Sequence, residues 1–165
     1  MYNSLGEFIG RLEREGELLR IKTRVSSELE IAEITDRMSK SPGGGKAILF
    51  ENTDREFPVL TNMMGSDRRM AMVLGVESLD DIGRRIDSLL HEATSPKDSF
   101  ADKLKVLPLL SEMASWLPKK SSRRGECQQV ILRGGDADIN RLPVLKSWGC
   151  DGGMFVTLPM VNTVD

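Results

Sequence analysis

Several groups of residues in this sequence have types and spacings from which chemistry could be built. Gly43-Gly44-Gly45-Lys46 invites comparison with a phosphate-binding loop. Such a loop needs glycine where Lys40 stands, Ser or Thr where Ala47 stands, and a following helix whose N-terminal amides face the anion. A strand is expected after Lys46, so the glycines read as a helix-to-strand connection. His91 is the only histidine, and it falls near the end of a predicted helix, where its charged form suits the C-terminal dipole. One histidine cannot build a multi-His metal site, and neither Cys127 nor Cys150 has a neighbour at ligand spacing. Any metal is therefore expected to take oxygen ligands. Asp136 and Asp138 straddle a turn with Asn140 nearby, too few donors for a calcium loop, and stabilising the turn is their expected job. Lys119-Lys120 and Arg123-Arg124 have only Trp116 as a stacking group and read as a solvated linker rather than a nucleic-acid site. The nine methionines read as core filler.

The elements that must position these residues follow from periodicity. Ser4 with Glu7 forms a capping box, and Leu5, Phe8, Ile9 and Leu12 lie on one face of a helix expected over about Leu5 to Glu15. Gly16 stops it, and Leu19, Ile21 and Thr23 alternate with Arg20, Lys22 and Arg24 as in a half-buried strand. Ser27 with Glu30 repeats the capping box, and Ile31, Ile34, Thr35 and Met38 mark a second helix ending before Ser41-Pro42. Strands are expected over Ala47 to Glu51 and Pro58 to Thr61, joined by the hairpin-length loop Asn52 to Glu56. The pattern then turns helical. Met70, Val73 and Leu74 define a short helix after Ser66. Leu79, Ile82, Ile86, Leu89 and Leu90 define a longer one capped by Ser78, and a third short helix is expected around Phe100 to Val106 before Pro108 interrupts.

Ser115 to Gly125 carries Pro, Ser, Gly and basic residues without periodicity, which predicts a domain boundary. Beyond it, Val130-Ile131-Leu132 reads as a short buried strand, Gly134-Gly135-Asp136 as a turn, and Asp138 to Pro143 as an ordered loop in which Pro143 limits Leu142 to extended geometry. Met154 to Val164 is β-rich and has no recognisable partner after it. An open strand edge is something folded proteins cover, so the polypeptide is expected to be the front part of a longer one.

Composition narrows the class. With 165 residues, 39% hydrophobic and 29% charged, the chain reads as an ordinary globular α+β protein with enough length for a real core. A formal net charge of −2 gives no reason to expect nucleic acid as a partner. Two distant cysteines fit a reduced setting, no apolar run approaches the roughly 20 residues that span a bilayer, and the acidic, periodic N-terminus is unlike a targeting peptide. The expected location is cytoplasmic. Composition and spacing name no function.

Four segments taken together do suggest one. SLGEFIGRLEREGELLRI, EIAEITDRMSKSPGGGKAILFEN, PVLTNMMGSDRRMAMVLG and above all CQQVILRGGDADINRLPVLKSW resemble the UbiD family of carboxy-lyases, in order and spacing, over essentially the whole chain. The resemblance implies an N-terminal α/β domain with a short mixed sheet over residues 1–118, a linker over 119–126, and over 127–165 the first strands of a flavin-reductase-like split β-barrel. It also implies non-oxidative decarboxylation of an aromatic or α,β-unsaturated acid, within ubiquinone or menaquinone biosynthesis, by a homo-oligomer. The implied cofactors are prenylated FMN, manganese and potassium. Thr157 is the one position that the resemblance places near the flavin. Catalytic and metal-ligating residues are expected beyond Asp165, so these 165 residues alone are expected to bind no cofactor and to be inactive. The competing expectation is a self-contained, non-catalytic binding or assembly module.

Overall fold

The computed structural model describes residues 2–94, 111, 114–115, 117–118, 122–125 and 128–156. The expected helix at Phe100 to Val106, Cys127, Thr157 and the strand candidate beyond Val156 lie outside them. The chain divides into two compact units, Met1–Glu77 with Asp138–Asp165, and Ser78–Ala137.

The first unit is built on a three-stranded mixed sheet. Strand β1 (Leu18–Ile21) runs parallel to β2 (Ala47–Phe50), and β2 runs antiparallel to β3 (Val59–Thr61), in the order β1-β2-β3. All four residues of β2 are buried, as a central strand covered on both faces requires. Alternation divides them. Ile48 and Phe50 join Val25, Ile31 and Val59, whereas Ala47 joins Phe8 and Leu12. Helix α2 (Glu30–Ser39), the crossover between β1 and β2, supplies Ile31, Ile34 and Met38 to the first cluster. Helix α1 (Leu5–Arg14) supplies Phe8 and Leu12 to the second, and helix α3 (Asp67–Leu74) supplies Met72 and Val73. Burying a large apolar side chain contributes about 1.5–3 kcal/mol. Exposed pairs such as Arg37 with Glu33 and Lys40 with Asp36 contribute about 0–1 kcal/mol each, so the two sheet faces hold the unit together.

Local details confirm some sequence expectations and correct others. Ser4 caps α1 by accepting from Glu7 N at 3.2 Å, while the Glu7 carboxylate reaches back to Asn3 N at 2.8 Å, one residue further than a capping box places it. Ser66 caps α3 through Arg69 N. Strand β1 is not one-faced: Leu18 and Ile21 are its half-buried residues and lie in different clusters, while Leu19 is exposed. Ser27 does not cap α2. It is fully buried, and Asp54 accepts from both its N–H and its hydroxyl. The α2 cap position is Leu29, at φ 67° with no side-chain cap.

The second unit carries α4 (Asp80–Thr94) and a 3-10 turn at Gly134–Asp136. Ser78 begins α4 as expected: its hydroxyl accepts from Asp80 N and its own N–H donates to Asp81. The expected buried strand at Val130-Ile131-Leu132 is not there. Those side chains are 74%, 50% and 46% exposed and form no strand. A three-residue apolar run specifies a strand only when a neighbouring edge receives it.

Among the described residues, the largest fully buried side chain is charged. Arg69 on α3 has no exposed surface; it donates to Glu17 Oε2 at 2.8 Å, Gly45 O at 2.6 Å and Gly44 O at 3.2 Å. Its Nε has no partner. Removing Arg69 leaves Glu17 with Arg68 alone, takes the donor from Gly45 O and empties the space of a large buried side chain, at about 3–5 kcal/mol. Arg69→Ala is therefore expected to lower stability by that amount in urea denaturation, against less than about 1 kcal/mol for Arg37→Ala.

Candidate functional site

The glycine loop has the opposite polarity from a phosphate site. Gly44 and Gly45 have positive φ and present carbonyl oxygens to Arg69, and Asn62 Nδ2 donates to Gly44 O at 2.8 Å and to Lys46 O at 2.9 Å. A phosphate loop presents N–H groups instead. A Cβ on Gly44 would stand 1.7 Å from Gly65 O, and one on Gly45 would stand 2.1 Å from Met38 O. These glycines serve close backbone approach, as their reading as a connection requires.

The polar groups that do converge lie on the β2–β3 hairpin loop and on residues 138–156, all within the first unit. Asp54 accepts from Ser27 N at 2.8 Å and from Ser27 Oγ at 3.1 Å. Partial burial would raise its carboxyl, but those two bonds, its own N–H and the Arg55 charge outweigh this and hold it below the ordinary Asp value. Arg55 donates to Asn140 O at 3.1 Å and lies against Met154 Sδ at 3.1 Å. Glu56 accepts a two-bond fork from Arg141, at 2.7 and 2.9 Å, and that guanidinium lowers the Glu56 carboxyl. Lys146 N donates to Ser27 O and Leu29 N donates to Lys146 O, at 3.1 and 2.9 Å.

The other predicted residues divide plainly. Asp138 accepts from Asn140 N and Nδ2 at 2.9 and 2.8 Å, which lowers its carboxyl and stabilises the turn as expected. Leu142 is extended before Pro143. Phe155, in the strand candidate, has a partner before it: its N–H donates to Leu145 O at 3.3 Å. His91 lies in the last turn of α4, Cys150 is exposed, and so are Arg123 and Arg124. Thr157, Lys119, Lys120 and Trp116 are outside the described residues. Among the described residues no three His, Cys, Asp or Glu converge on a metal position, and no helix is long and apolar enough to cross a membrane.

Sequence reasoning missed Arg69 and Arg55. Arg69 shares a face with Met72 and Val73 three and four residues on, and a charge on an apolar stripe is a legible signal. Arg55 carried none, because its partners lie 85 and 99 residues away. Two hollows of about 400 and 250 Å³ are lined by Leu142, Val144, Phe155 and Val156, and Arg55 borders the smaller. A cleft of about 650 Å³ lies between α2 and Leu145–Gly149.

Residues 9–86 match the 3-octaprenyl-4-hydroxybenzoate carboxy-lyase N-terminal domain, and residues 119–165 match the Rift-related domain of the same enzymes. The chain belongs to the UbiD family. It matches that family's N-terminal portion. An uncharacterized protein of Aquifex aeolicus is 46% identical over 99% of this chain and 33% of its own length, and one of Archaeoglobus fulgidus is 42% identical over 99% and 32%. The chain thus spans about a third of these relatives. Among solved structures, the closed form of the vanillic acid decarboxylase of Sedimentibacter hydroxybenzoicus is 29% identical over 58% of this chain and 21% of its own, with a TM-score of 0.49. The UbiD-class enzyme HmfF of Pelotomaculum thermopropionicum, in a dimeric form with prFMN, is 26% identical over 58% and 21%, with a TM-score of 0.43.

The lowered carboxyls set an expectation for acid. A carboxylate whose folded pKa is depressed stabilises the fold above its unfolded value, and that stability is lost as pH falls through the folded value. Asp54, Glu56 and Asp138 all shift in this direction. Residues 138–156 are therefore expected to loosen below about pH 4, as amide exchange at Lys146 measures. Asp54→Ala, which strips the buried Ser27 of its acceptor, should cost about 1–3 kcal/mol at pH 7, and Asp54→Asn should cost less.

Proposed function

We propose that this chain belongs to a non-oxidative decarboxylase that uses prenylated FMN on an aromatic or α,β-unsaturated carboxylic acid in ubiquinone or menaquinone biosynthesis. The observation that carries the proposal is the pair of family matches at residues 9–86 and 119–165. Loss of carbon dioxide leaves a carbanion that must be delocalised, and the modified flavin supplies that electron sink when bound. The proposed organisation is an N-terminal α/β domain over residues 1–118, a linker over 119–126, and residues 127–165 as the first strands of a flavin-holding split barrel. Thr157 would face the flavin. Manganese and potassium would accompany the cofactor phosphate, and the whole protein would be a homo-oligomer in the cytoplasm.

The described residues do not by themselves fit a flavin phosphate with its metal. Their acidic groups do not converge, and the guanidiniums of Arg55, Arg69 and Arg141 are already engaged by protein acceptors. What the described residues contribute is a covered sheet and a loop to which residues 138–156 are fastened. The test is expression of a longer protein carrying this sequence together with a source of prenylated FMN. A visible flavin spectrum, bound manganese and release of carbon dioxide from aryl or acrylic acids are expected. A protein of relative length that purifies without flavin and releases no carbon dioxide sinks the proposal in favour of a non-catalytic module.

A further inference from the structure

Arg55 touches both ends of one loop. Its Nη1 donates to Asn140 O and its Nη2 meets Met154 Sδ, both at 3.1 Å, while Nε points to Ser27 Oγ at 3.4 Å. Between those ends the chain leaves along Leu142 to Lys146 and returns at Phe155, where Phe155 N donates to Leu145 O. The next residue of the hairpin loop, Glu56, forks onto Arg141. Every nitrogen of the Arg55 guanidinium already faces a protein acceptor, Asn140 O, Met154 Sδ or Ser27 Oγ. A further anion therefore gains little there, and the smaller hollow it borders is a poor anion site. A planar guanidinium can serve separated acceptors at fixed angles, which a lysine ammonium cannot.

We infer that Arg55 is a positioning residue: it clamps Asn140 and Met154 together and so fixes Met154–Val156, the residues immediately before Thr157 in the chain. For its catalytic consequence the inference rests on the decarboxylase reading. For the clamp itself it rests on the hydrogen bonds alone.

Arg55→Met and Arg55→Lys, made in this chain and in the longer flavin-bearing protein, test it. Both should speed amide exchange at Phe155 and Lys146 roughly ten- to a hundredfold, the effect of losing a charge-assisted hydrogen bond, while Ile48 and Leu49 exchange as before. In the flavin-loaded protein kcat should fall more than KM changes, and the visible circular dichroism of the flavin should shift. If either variant fails to fold, Met154→Leu takes its place: it removes the acceptor that Arg55 Nη2 meets and should loosen Phe155 in the same sense. Unchanged exchange at Phe155 overturns the clamp whatever the flavin content. Restoration by Arg55→Lys also overturns it, since charge would then suffice. Faster exchange with unaltered kcat and dichroism overturns the catalytic role. A wild-type protein without flavin overturns the decarboxylase reading, and the exchange measurements still decide the clamp.

Discussion

A guanidinium with no exposed surface constrains everything around it. Arg69 can be buried only because Glu17 neutralises it and the Gly44 and Gly45 carbonyls accept from its terminal nitrogens, with Nε left unpartnered, since an unpaired buried charge costs far more than a helix of eight residues can offset. That requirement ties three connections together: the α1–β1 turn through Glu17, the α2–β2 loop through the two glycines, and α3 through Arg69 itself. It also explains the glycines. Carbonyls can point at the guanidinium only if the loop turns through positive φ beside Met38 and Gly65, where no Cβ fits. A buried pair of this kind specifies one arrangement more than it adds net stability, and the apolar clusters on the two sheet faces supply the stability.

Elements whose side-chain period matches their burial are legible in the sequence alone. Helices α1 to α4, the β2–β3 hairpin and the extended Leu142 are of this sort, because their patterns answer to neighbours within about four residues or to steric rules of the backbone. The misreadings have the reverse cause. Ser27 looks like a cap because Glu30 follows at the right spacing, yet its N–H and hydroxyl both donate to Asp54, 27 residues later, and the α2 cap position falls at Leu29. Val130-Ile131-Leu132 looks like a strand because it is apolar, but a strand needs a partner edge that composition cannot reveal. β1 looks one-faced because Leu19 and Ile21 alternate with Arg20, but Leu18 packs on the opposite face with Phe8 and Leu12. The place near the flavin proposed for Thr157 is not among these misreadings: it rests on family likeness rather than a local pattern, and Thr157 lies outside the described residues.

The most strained residue among those described links the sheet unit to the segment that follows the second unit in the chain. Leu29 sits at φ 67° and ψ −38°, a sparsely populated region that costs about 1–3 kcal/mol for a residue with a Cβ. Such a conformation persists only where its surroundings over-determine it. Here they do: Leu29 N donates to Lys146 O, Leu29 O accepts from Glu33 N, and Lys146 N donates to Ser27 O, while Asp54 fixes Ser27 from the other side. Without the Lys146 contacts, the start of α2 would be free to relax to ordinary helical or extended geometry. The backbone of residues 145–147 is therefore part of how α2 begins, and α2 in turn carries Ile31, which closes one face of the sheet. Family matches at 9–86 and 119–165 describe two regions of sequence, but the hydrogen bonds make Ser27 to Leu29 and Lys146 one physical element. A change at Lys146 that alters its backbone is then felt in the sheet core, whereas a change confined to its side chain loses only the partly exposed contact with Glu28.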